Sequence, residues 1–256
     1  MPTRFLFAVL VALILVACSP RTSVRSLPVP TADPNATTDW RRDWLRGKPC
    51  APPCFMGITP GTMSQTQTLD LLRAATPAVL PEIASKSGRS QASINWLIET
   101  ADPESQASAL FFQTPVERYN LPLNTIVTIR LGASGVLSLG EVMEAYGDPS
   151  HVLALAEPSA DERTVFWLSL VYIPQGFNLS MWFDYDGRQP VFTPSTPVER
   201  VHFFVSTVGG YDQAMGPLNG FPHPSELMVP WAGFEGFSYY CREAPQPNNP
   251  DRRGCP

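Results

Sequence analysis

GVLSLGEVMEAYGDP, residues 135–149, is the stretch from which the fold can be read. Ser138 stands before an apolar run with Glu141 three residues on, the arrangement in which a side-chain oxygen and a carboxylate reciprocally satisfy the free N–H groups of a first helical turn. Gly147-Asp148-Pro149 supplies the stop, a glycine able to take the left-handed cap followed by a residue that cannot continue the helix. A short helix is therefore expected between Ser138 and Gly147. GTMSQTQTLDLL at residues 61–72 reads the same way: Gly61, Ser64, Gln67 and Leu72 stand 74 positions before Gly135, Ser138, Glu141 and Tyr146.

Strand patterns follow each helix. Ile94, Trp96 and Ile98 alternate along 93–99, and a similar pattern at 164–170 sets Trp96 against Trp167. Residues 107–113 align with 178–184, pairing Phe111 with Trp182 and Phe112 with Phe183, and 125–131 align with 199–205, pairing Val127, Ile129 and Leu131 with Val201, Phe203 and Val205. Branched and aromatic residues at period two mark half-buried strands. The expected fold is α+β: two tandem units of short helix packed on an antiparallel sheet, each with three strands. The first unit covers 40–131 and the second 132–207. An irregular extension rich in proline and aromatics covers 208–256.

GITPG at 57–61 and LGEVMEAYGDP at 139–149 resemble a signature of small helix-plus-sheet modules of the SmpA/OmlA type and of the similar tandem β-lactamase inhibitory protein. The resemblance implies short helices on one face of an antiparallel sheet and a role in protein–protein contact. The first copy departs from the signature, with Arg73 to Pro77 where a Gly-x-Pro would stand. The start from Trp44 to Gly61 also resembles that of uncharacterised bacterial lipoproteins.

Residues 1–17 read as a signal peptide: Arg4 is followed by an uncharged run from Phe5 to Ala17, too short to span a bilayer at 1.5 Å per residue. Leu15-Val16-Ala17-Cys18 resembles a lipobox, which implies lipidation of the Cys18 thiol and cleavage between Ala17 and Cys18. Residues 18–39, rich in Ser, Thr and Pro, read as a flexible tether. The expected location is extracytoplasmic, lipid-anchored to a bacterial membrane. Cys50, Cys54, Cys241 and Cys255 make an even number, as expected of disulfides in an oxidising compartment. Local pairing, Cys50 with Cys54 and Cys241 with Cys255, is the favoured connectivity, and pairing across the domain is the alternative.

The net charge of -5 offers no basic footprint for nucleic acid. Cys50 and Cys54 have three residues between them, two of them proline, whereas thioredoxin-like chemistry needs two residues and a helix start. His151, His202 and His223 lie far apart, and Pro224 prevents His223 from sharing a helical face with a second ligand. Asp184-Tyr-Asp186-Gly187 lacks the twelfth-position glutamate of a calcium loop, because Ser195 stands there, and reads as a tight turn. No catalytic residue, metal or cofactor is expected. The sequence points to a non-catalytic module anchored at the membrane that binds or scaffolds a protein partner at the cell surface. The alternative is an envelope glycan-binding protein or hydrolase whose site lies in the aromatic C-terminal region, with Trp231 as the candidate glycan contact.

Overall fold

Local chemistry sets the helices. In the computed structural model, α1 is Trp40–Leu45, α2 is Gln65–Ala75 and α3 is Leu139–Tyr146. Before α2, Ser64 Oγ accepts from the Gln67 N–H at 3.2 Å and Gln67 Oε1 accepts from the Ser64 N–H at 2.9 Å. Before α3, Ser138 Oγ accepts from the Glu141 N–H at 3.4 Å, and Glu141 Oε2 accepts from the Ser138 N–H at 2.8 Å. Both boxes read from sequence are formed. Gly147 ends α3 at φ 79° with its N–H donated to the Met143 carbonyl.

The structure describes residues 40–75, 81–85, 91–98, 106–113, 123–133, 137–158, 164–184, 188–219 and 223–241. Gly135 and the Asp186-Gly187 turn lie outside the described residues, as do Cys18, the tether and Cys255.

Strands β1 (Glu82–Ser85), β2 (Gln91–Leu97), β3 (Gln106–Phe112) and β4 (Ile126–Gly132) precede α3. Strands β5 (His151–Pro158), β6 (Thr164–Tyr172), β7 (Phe177–Asp184) and β8 (Arg200–Phe203) follow it. With the two-residue β9 (Val229–Pro230) they form one antiparallel sheet in the order β1-β2-β3-β4-β8-β7-β6-β5-β9. The fold is α+β, and both halves share this one sheet. Among the described residues each half also holds four strands where three were expected. The missed strand in the second half, β5, carries Val152, Leu153, Ala154 and Leu155 in an unbroken run, and all four are buried. A strand covered on both faces loses the alternation that reveals a half-buried one.

The seam between the halves is β4 against β8, with Ile129 opposite Phe203 and Leu131 opposite Val201. Ile129 and Phe203 are the residues that the 74-position offset had aligned. The offset of 71 used for the other strands fails. Trp96 belongs to the larger core, whereas Trp167 lies on the opposite face of the sheet with Leu153 and Val171. Phe111 is likewise in the larger core, while Trp182 packs with the Trp167 cluster. An alignment of two strands that is out by one residue sets every side chain against one on the other face.

The larger core joins one sheet face to α1, α2, α3 and the short α5 (Phe237–Tyr240) through Trp44, Leu69, Leu72, Val142 and Phe237. Trp44 is its hub, with ring centroids 5.4 Å from Tyr146, 5.3 Å from Phe177 and 5.8 Å from Phe203. The Tyr146 hydroxyl donates to the Trp44 carbonyl, closing α3 onto α1.

On the second face lies α4 (Val208–Asn219), a regular helix where the extension was expected to be irregular. Tyr211, Ala214 and Met215 pack against Leu153, Leu155, Trp167 and Val171. Leu218 reaches a separate cluster of Leu110, Phe112 and Val127. The helix thus crosses the face from the second half to the first and leaves another part of it uncovered.

Candidate functional site

A hollow of about 260 Å³ opens on that uncovered part. Cross-strand register assembles it. Asn95 on β2 pairs with Ser108 on β3, and Ser108 pairs with Arg130 on β4. Arg130 pairs across the seam with His202, so Arg200 stands two residues along β8 on the same face. Such diagonal neighbours are about 7–8 Å apart, within joint reach of two long side chains. Trp182 on β7, Glu199 and Gln106 also line the hollow. Gly132, opposite Arg200 on β4, lines the hollow and has no side chain to fill it.

The arginines are held differently. The Arg200 guanidinium lies 4.5 Å from the centre of the Trp182 ring, a cation–π contact worth about 0.5–1 kcal/mol where solvent is near. Its pKa is lowered, first by partial burial and then by the charge of Arg130, with Glu199 opposing. Arg130, exposed like Arg200, makes no ion pair among the described residues. Two cations beside one carboxylate leave the hollow locally positive on an acidic chain. Guanidinium groups so placed bind carboxylate or phosphate oxygens in a bidentate manner.

A polar ladder continues from the hollow beneath α4. Asn178 Nδ2 donates to Ser169 Oγ at 2.7 Å and to Ser180 Oγ at 3.2 Å. His202 Nδ1 lies 3.2 Å from Met215 Sδ, and Nε2 has no hydrogen-bond partner. Burial, followed by the charges of Arg130 and Arg200, pushes the His202 pKa down to about 3. Its surroundings favour the neutral imidazole.

The residues singled out from sequence fall elsewhere. Cys50 and Cys54 form a disulfide with S–S 2.04 Å, and Cys241 is disulfide-bonded to a residue outside the described set. Trp231 is half-buried, with its ring parallel to Tyr240 (6.0 Å between centroids, 7° between planes) and its neighbours Phe192 and Phe234 close by. One ring face is thus taken up by packing. The three histidines are dispersed: His151 opens β5, His202 is in β8, and His223 precedes the 3₁₀ turn Pro224–Leu227. Among the described residues, no group of three or more His, Cys, Asp or Glu could hold a metal ion, and no helix is long and apolar enough to cross a membrane. Sequence reading passed over Arg130, Trp182 and Arg200. The available signal was an arginine at an outward position of each seam strand, which gains meaning only once the two strands are known to be neighbours.

No protein family, curated protein or solved structure matches this chain.

Proposed function

We propose that this chain is a lipid-anchored, non-catalytic binding module of a bacterial envelope, holding its ligand through an anionic group in the hollow at the β4–β8 seam. The observation that carries the reading is the pair Arg130 and Arg200, on diagonal positions of adjacent strands, in a hollow that α4 leaves open. The sheet beneath is built from both halves of the chain, so the two guanidinium groups sit on a rigid, multiply paired base. Rigid placement lowers the entropy cost of holding an anion. The lipobox-like Leu15 to Cys18 and the tether at 18–39 support attachment to a membrane surface.

Two measurements test this on the full chain in detergent. Intact mass of the native membrane-extracted protein should match a chain starting at a lipid-modified Cys18. Side-chain Nε–H resonances of Arg130 and Arg200 should shift saturably on titration with acetate or inorganic phosphate at low salt. Linear, non-saturating shifts common to all arginines would overturn the binding site.

A further inference from the structure

The chemistry around the arginine pair narrows the ligand. We propose that the hollow accepts a hexuronic acid unit of an acidic glycan, an assignment that rests on the binding-module reading above.

Three features point the same way. First, size: about 260 Å³ lies just under the range of about 300–1,000 Å³ typical of small-molecule sites and suits one ring-sized unit of a longer ligand. The hollow is open to one side of the sheet, so a chain can continue past it.

Second, the polar groups are of mixed sign. A bare anion requires donors alone. Here Glu199 stands with Arg130 and Arg200 in the wall, and Glu199 can only accept while ionised. A hydroxyl-bearing ring meets that demand, giving its carboxylate to the guanidinium groups and a hydroxyl proton to Glu199. Asn95 and Ser108, each able to donate and accept, serve further hydroxyls. A run of acidic side chains from a protein partner would instead place carboxylates against Glu199 and leave only backbone N–H groups to donate to it.

Third, Trp182 lines the hollow with one face of its ring covered by Arg200. Its contact with Arg200 holds the guanidinium in place, so the cation is positioned before the ligand arrives. Sugars carry weakly polar C–H faces that pack on aromatic rims, whereas a lone phosphate gains nothing from such a surface.

Calorimetric titration of the full chain in detergent, with four probes, decides the matter. The probes are tetragalacturonate, its methyl ester, maltotetraose and hexaglutamate. The expected result is saturable binding of tetragalacturonate, at least tenfold weaker binding of the ester and of maltotetraose, and weaker binding of hexaglutamate. Arg130→Gln and Arg200→Gln should each weaken tetragalacturonate at least tenfold while urea unfolding midpoints stay within the wild-type range. Glu199→Gln should weaken tetragalacturonate but not hexaglutamate. Equal or tighter binding of hexaglutamate would overturn the glycan assignment and leave the anion site standing. Binding of acetate or phosphate with none for tetragalacturonate would do the same. Failure of every anion would remove both the assignment and the reading beneath it.

Discussion

Arg130 faces His202 across the β4–β8 seam, so an exposed cation and a fully enclosed imidazole share one rung of the sheet. The arrangement disfavours charge on His202, because burial and the flanking Arg130 and Arg200 all oppose it.

An acid-dependent loss of stability follows. The His202 pKa falls from 6.5 to about 3 on folding, so between those values the unfolded chain binds the extra proton. Stability then rises with pH: this contribution is complete above pH 6.5 and is lost as pH falls toward 3. The slope from this residue is at most about 1.4 kcal/mol per pH unit. Urea unfolding at pH 7, 6 and 5 should show it, and His202→Gln should flatten it. An unchanged slope in the variant would assign the acid sensitivity to other groups.

Trp44→Ala should be the most damaging core change. The ring is 1% exposed and touches α3, β7 and β8 at once. Removing a buried tryptophan typically costs about 3–5 kcal/mol, since the cavity adds to the lost transfer energy. Trp44→Phe should cost less than half as much. Chemical denaturation of both variants checks the order, and equal losses would contradict the account of Trp44 as a hub.

Two adjacent glycines of α4 should respond in opposite ways. A Cβ on Gly210 would collide with the Val205 carbonyl oxygen and lie 2.7 Å from Val205 Cβ, whereas one on Gly209 meets nothing within 4 Å. Gly209→Ala should stabilise by about 0.5–1 kcal/mol through helix propensity. Gly210→Ala should destabilise, because the first turn of α4 must move away from Val205. Melting temperatures that shift in the same direction would sink this prediction.

The caps should behave as local, separable terms. Ser138→Ala removes an oxygen that accepts from Glu141 N–H and also donates to Glu141 Oε2 at 2.7 Å. Ser64→Ala removes the corresponding acceptor at α2. Each should cost about 1 kcal/mol, and the double variant about the sum, since well-separated sites add. An unchanged unfolding midpoint for Ser138→Ala would refute the capping assignment.

What the residues determined by themselves lies within short sequence distances. Ser138 and Glu141, Ser64 and Gln67, and Cys50 and Cys54 meet because three or four residues of chain leave them little choice. The α+β class follows from the same local patterns. Tertiary structure alone decided which face each strand presents, since a shift of one residue between Trp96 and Trp167 reverses inside and outside. It also decided that β5, apolar on both sides, is a strand. Above all it decided the hollow. Asn95, Arg130 and Arg200 become neighbours through backbone hydrogen bonds between strands far apart in sequence, and no spacing along the chain encodes that register. Long-range pairing is specified by the whole buried face at once, which is why the caps were legible from sequence and the site was not.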